Sequence, residues 1–173
     1  MAEELKIVLY PDPRLKKMSA AVEAFDDALK ELAGQMFVLM RASKGVGLAA
    51  PQVGKNIRLF VMNSSGKPED DRVYVNPVLS EAEGEETAEE GCLSLPEVHV
   101  DVVRSKTLRI EARDLEGKAI DEKQTGYVAR IWQHETDHLN GVLLTDRMGP
   151  VAKMTHRRIL KELEEKFAQQ KRQ

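Results

Sequence analysis

The chain has one cysteine among its 173 residues, Cys92, so no disulfide can form within it. It has no apolar run approaching the roughly 18 residues that a membrane-crossing helix needs. Its opening, Met1-Ala-Glu-Glu-Leu-Lys, has neither the cationic start nor the long apolar stretch of a secretory leader. These absences point to a reducing, cytoplasmic setting, with the missing leader carrying most of that inference. Charge of one sign is lacking too. Twenty-six Lys and Arg against 29 Asp and Glu leave a formal net charge of −3. There is therefore no broad basic footprint for DNA or RNA. The acidic run Glu81–Glu90 and the basic pair Lys171-Arg172 are local, and by default such runs are solvated faces. No repeat or low-complexity linker divides the chain. Its length fits one domain over 1–173, acting as a monomer, and it buries roughly 70% of its unfolded surface without staples.

What is present reads as α+β. Tyr10-Pro-Asp-Pro is a turn-rich stretch that a helix does not cross easily. Leu29, Leu32, Met36 and Leu39 form one apolar stripe, which predicts a helix from Asp26 to Ala42, broken by Gly45 and Gly47. Ile57–Met62 and Val73–Leu79 read as strands, with Pro77 marking an edge or a bulge, and Ser64–Pro68 as the loop between them. Leu108, Ile110 and Ala112 alternate with polar residues as on a half-buried strand, and Gly117 suits a hairpin turn over Asp114–Lys118. A helix from Tyr127 to Asn140 stops at Gly141, a favoured residue just past a helix end. A last helix, about 151–170, follows Pro150 with Ile159, Leu160, Leu163 and Phe167 on one face. With strands in the middle and helices at both ends, the expected fold is mixed or antiparallel β-sheet packed around a central helix that carries two histidines.

That helix carries the chemistry. His134-Glu135-Thr136-Asp137-His138 puts two imidazoles at i and i+4, one above the other on the same face, where both can reach one metal ion. Glu135 projects beside them as a general base acting on metal-bound water. Thr136 and Asp137 read as helix surface, or Asp137 as a carboxylate supporting the site. A catalytic ion takes about three protein ligands. Cys92 offers a soft thiolate, although a lone cysteine is more commonly a small buried hydrophobe. Glu162, on the last helix, is a rival at a spacing some zinc proteases use. Gly45-Val46-Gly47-Leu48-Ala49-Ala50-Pro51-Gln52 brings backbone groups to a cleft and adds the Gln52 amide, a donor for a developing oxyanion.

Three segments together are far more specific than any one. Gly45–Gln52 reproduces the pattern GΦGΦAAPQ, where Φ is apolar. Glu90-Gly91-Cys92-Leu93-Ser94-Leu95-Pro96 reproduces EGCLSΦP, and Gln133–Gly141 reproduces QHExDHLxG. In order and spacing they resemble the three motifs of the bacterial-type peptide deformylases, and Tyr10-Pro-Asp-Pro-Arg-Leu matches that family's opening segment. The resemblance covers nearly the whole chain. It implies a metal-dependent hydrolase that removes the formyl group from N-formylmethionine on newly made polypeptides and releases formate.

The resemblance also implies roles for residues. Cys92, His134 and His138 become the metal ligands, with Fe²⁺ the usual native ion and Zn²⁺, Ni²⁺ or Co²⁺ as substitutes. Gln52 and the Leu93 N–H match the positions that bind the formyl oxygen, and Glu135 matches the catalytic glutamate. Gly47 and Gly91 match positions that pair with the extended substrate backbone. Val46, Tyr127, Arg130 and Ile131 fall near the methionine pocket; the Arg130 stem either lines its wall with the charged head in water or faces away. Glu90 matches an acidic position paired with an arginine, here Arg104, as structural support. For the basic stretch from Lys166 to Arg172 the default is a solvated helix face, and the sharper reading is a contact with ribosomal RNA near the exit tunnel. Two other functions remain: a zinc endopeptidase using Glu162, and a non-catalytic binding module, against which the intact Glu135 and Gln52 argue.

Overall fold

The computed structural model describes residues 3–173; Met1 and Ala2, the start of the opening segment, lie outside the described residues. The first helix, α1 (Asp27–Ala42), begins at Asp26, whose side chain accepts from Leu29 N–H at 3.0 Å and so caps the first turn. It ends through Lys44, which takes the left-handed conformation (φ 59°). The two glycines that follow answer a different need, close approach. A side chain at Gly45 would stand 2.8 Å from Leu93 Cδ1, and one at Gly47 would stand 2.8 Å from Glu135 Cδ.

Five strands follow in the order β1 (Gly47–Ala49), β2 (Leu59–Met62), β3 (Arg72–Cys92), β4 (Leu95–Arg113) and β5 (Ala119–Thr125), each hydrogen-bonded to the next. All four pairings are antiparallel, so the sheet is not mixed; the only parallel pairing among the described residues is an isolated bridge between Ala20 and Ile57. The register of β3 against β4 jumps between Val75 and Val78. The bulge falls at Asn76-Pro77, where proline cannot donate and Asn76 takes φ 52° while exchanging hydrogen bonds with the Val22 backbone.

Two features lay outside the sequence reading. The acidic run Glu81–Glu90 is part of β3, and Ala119–Thr125 is a strand. Neither alternates apolar with polar residues, because each lies on a largely exposed part of the sheet.

The continuous apolar run of β2 is explained by burial on both faces. Leu59 and Val61 join Leu29, Met36, Phe37 and Met40 of α1 in one cluster, while Phe60 and Met62 join a second. The second cluster holds Trp132 and Leu139 of α2 (Tyr127–Leu139), with Tyr74 packed edge-on against Trp132 at 5.8 Å. Helix α2 touches β1, β2, β4 and β5 and ends at Gly141 (φ 73°). A third cluster fastens the end of the chain to the β3–β4 hairpin through Leu95, Val98, Val100 and Val102.

The single last helix expected from sequence is two. After α3 (Leu144–Arg147), α4 (Pro150–Thr155) stops at His156 and α5 (Arg157–Lys171) begins after it. Ile159, Leu160 and Leu163 pack on the hairpin, while Val151 and Met154 of α4 stay exposed.

Candidate metal centre

The α2 helix presents His134 and His138 to the turn that joins β3 to β4, where Cys92 ends β3. His134 Nε2 and His138 Nε2 stand 3.3 Å apart, and Cys92 Sγ is 3.4 Å from His138 Nε2. All three donor atoms lie within 4.8 Å of one another. Around one tetrahedral ion, two imidazole nitrogens would lie about 3.4 Å apart and a thiolate sulfur about 3.6 Å from each. The separations of 3.3 and 3.4 Å fit such an ion. Glu162 is elsewhere, on the exposed face of α5, accepting from Arg158 at 3.1 Å.

Behind the ligands lies a buried charge network. Glu90 Oε1 lies 2.9 Å from His134 Nδ1 and accepts from Arg104 at 2.9 Å, while Oε2 accepts from Arg104 Nε at 3.0 Å and from Arg130 at 2.6 Å. Arg104 also donates to Asp137 at 2.6 Å, and Arg147 closes on the same carboxylate at 2.7 and 3.0 Å. Burial alone would disfavour a charged Glu90, but the hydrogen bonds from His134 and Arg104 outweigh it and hold the carboxyl well below its usual range. The imidazoles are split. Burial lowers both, but at His134 the bonds to Cys92 and Glu90 prevail and raise it, whereas at His138 the charge of His134 adds to burial and lowers it further.

Glu135 sits on the same helix with 3% of its surface exposed. Its Oε2 is buried and has no hydrogen-bond partner among the described residues. Burial, its largest influence, pushes it up to about 7, close to where a group that must both take and return a proton works best. Its Oε1 lies against Gly47 of β1, so the bare glycine makes room for the carboxylate. Gln52 comes from the short 3-10 turn after β1. Its Oε1 accepts from Ala49 N–H at 3.0 Å, which fixes the amide so that Nε2 turns toward Ser94 Oγ (3.1 Å) and Cys92 Sγ (3.6 Å).

These groups line one cleft of about 440 Å³, together with Val46, Gly91, Leu93, Tyr127, Arg130 and Ile131. Of the residues singled out for the site from sequence, His138, Arg104, Asp137 and the rival Glu162 do not line it, and the others do. The Arg130 head does not reach water. It is buried against Glu90, and it also donates to the backbone carbonyls of Val102 at 2.9 Å and Glu86 at 2.6 Å. The sequence reading had not joined Arg130 to Glu90, although its place one turn before His134 puts both on one helix face. Ser94 stands in the Glu90–Pro96 motif, but its role as the brace for Gln52 was not read from it, and His99 leaning over Gly91 has no signal in the sequence.

Comparison with known proteins shows the family and the fold. The family model described as polypeptide deformylase matches residues 4–154. A peptide deformylase of Thermotoga sp. (strain RQ2) is 42% identical over 159 residues, covering 91% of this chain and 95% of the relative. The chloroplastic peptide deformylase 1B of Oryza sativa subsp. japonica is 43% identical over 166 residues; the match covers 94% of this chain but 62% of that longer relative. A crystal structure of a plant peptide deformylase superimposes with a TM-score of 0.93 at 40% identity, covering 98% of this chain and 94% of the other. On sequence and structure alike, the chain belongs to the peptide deformylase family.

Proposed function

We infer that this chain is a metal-dependent hydrolase that removes the formyl group from the N-terminal formylmethionine of newly made polypeptides, releasing formate. The observation that carries the inference is the convergence of one thiol and two imidazoles, Cys92 and His134 lining a cleft and His138 completing the set, beside a buried carboxylate whose pKa is pushed up to about 7. In this reading Cys92, His134 and His138 hold one divalent ion. The mixed sulfur and nitrogen donors favour a softer metal, consistent with Fe²⁺ as the native ion and Zn²⁺, Ni²⁺ or Co²⁺ as substitutes. When bound, the ion supplies Lewis acidity, which acidifies water and polarises a carbonyl.

The chain's own residues do the rest. Glu135 accepts the proton of the attacking water and returns it to the departing amine. Gln52 Nε2, oriented by Ala49, and the Leu93 N–H donate to the formyl oxygen as charge gathers there. The sheet order leaves β1 an edge strand, so the extended substrate backbone pairs there at Gly47 and across the cleft at Gly91. Such pairing asks little of the substrate's side chains and suits many nascent sequences. Val46, Tyr127, Ile131 and the aliphatic stem of Arg130 form the methionine pocket. The pairing of Glu90 with Arg104 supports the cleft. The whole chain acts as one catalytic unit, a cytoplasmic monomer, and α5 serves packing rather than a ribosome contact, consistent with Leu163 in the third cluster. No helix among the described residues is long and apolar enough to cross a membrane.

The test is formate release from formyl-Met-Ala-Ser by anaerobically purified, Fe²⁺-loaded protein beside Glu135→Ala. Rapid release by the parent and almost none by the variant is expected. A folded, loaded parent that releases no formate overturns the reading, and cleavage of internal peptide bonds would point to an endopeptidase instead.

A further inference from the structure

One buried cation has a larger task than a pocket wall requires. Arg130 is 7% exposed, and its guanidinium spans three points on two strands: the Glu90 carboxylate and Glu86 carbonyl of β3 and the Val102 carbonyl of β4. It stands one helical turn before His134 on α2. Glu90 therefore bridges two residues of one rigid helix, with Oε1 on His134 and Oε2 on Arg130. Arg104 fills the remaining position on each oxygen. A carboxylate offers about four lone-pair sites, so this one is saturated and has no freedom to turn.

Arg104 grips both oxygens of the carboxylate, but only from the strand. It belongs to β4 and divides its donors between Glu90 and Asp137. Arg130 ties Glu90 to the helix that carries the ligands. We propose that Arg130 is a positioning residue for the metal centre: by holding Glu90 it sets the ring orientation and the donor strength of His134. A carboxylate that accepts from a ligand imidazole makes that ring a stronger electron donor. A second guanidinium on the same carboxylate tempers the pull. Removing Arg130 unties the carboxylate from α2 on the Oε2 side, leaving Arg104 of β4 as its sole guanidinium, and leaves more negative charge facing His134, so ligand geometry and ion electronics change together.

The proposal rests on Cys92, His134 and His138 being the ion's ligands, and the experiment separates the two claims. Metal-free parent, Arg130→Met, Arg130→Gln and Gln133→Leu are titrated with Co²⁺, reading affinity, the thiolate-to-metal and d–d absorption bands, and melting temperature without metal. Gln133 is the structural control, since it ties α2 to the Ser105 backbone at 2.9 Å through both amide atoms without touching Glu90. Arg130→Met should bind Co²⁺ about tenfold more weakly, at the low end of what supporting partners of metal ligands contribute, with displaced d–d bands. Gln133→Leu should lose stability and keep the parent's affinity and bands. If Arg130→Met loses only stability, as the control does, the proposal falls. If it does not fold, Arg130→Gln decides by the same criterion. A parent that binds Co²⁺ without a thiolate band overturns the ligand assignment itself, and the positioning role with it.

Discussion

Replacing Gly47 by alanine tests how tightly the proposed base is held. The added methyl would lie 2.8 Å from Glu135 Cδ and 3.0 Å from Cγ, whereas carbon atoms in ordinary contact stand roughly 3.5–4.0 Å apart. The backbone of β1 cannot retreat, because Gly47 pairs with Met62 and is itself buried. The Glu135 carboxylate must therefore move by about 1 Å, and a misplacement of that size at a reacting group costs on the order of 10²-fold in rate. Stability should suffer less. Glu135 Oε2 has no partner to lose, so the penalty belongs near the low end of the about 1–3 kcal/mol typical of overpacking. The assay is steady-state formate release from formyl-Met-Ala-Ser with melting temperature and Co²⁺ binding measured alongside. A fall in kcat of about 100-fold with a retained fold and metal site is expected. A kcat within about threefold of the parent, or a loss of the metal together with the activity, would refute the reasoning.

Arg104→Leu strips a partner from two carboxylates, Glu90 and Asp137. Breaking a buried pair costs about 3–5 kcal/mol; because Arg130 and Arg147 remain, urea denaturation should show a loss near the lower figure, at least as large as the loss in kcat/KM expressed as free energy. Turnover that falls while stability holds would make Arg104 part of the chemistry instead. Glu135 should contribute a loss of stability to the metal-free protein as pH rises from about 4.5 to about 7, because the unfolded chain sheds that proton from its ordinary 4.5 while burial keeps the folded carboxyl protonated up to about 7; His138, lowered by burial, works in the opposite sense and is common to parent and variant. The slope is at most about 1.4 kcal/mol per pH unit. Glu135→Gln should remove that contribution, so that parent minus variant shows the fall, and equal pH dependence in parent and variant would count against a buried, protonated Glu135.

Much of this was legible in the sequence because it rests on local periodicity. Two histidines four apart on a helix share a face in any fold, and an adjacent glutamate projects beside them. The Leu29–Leu39 stripe, the alternation at Leu108–Ala112, the proline bulge at 77 and the stop at Gly141 depend likewise on near neighbours. Wherever the signal was faint, the element was missed or merged. The edge of β3 and all of β5 are too polar to alternate, and His156 carries no mark that the last helix breaks there.

The sequence by itself determined the helix, its two imidazoles and its neighbouring base, and three motifs whose joint order is specific to one family. Only the tertiary structure decided what stands behind them. Arg104 of β4 and Arg130 of α2 meet on Glu90 of β3 because two long strands pair across register jumps and a helix then packs on them. A lone arginine gives no hint of which carboxylate it will find. Gly47 is small because a glutamate 88 positions later needs the space. Such contacts join segments far apart in the chain, and local patterning cannot encode a distance that exists only once the chain has folded.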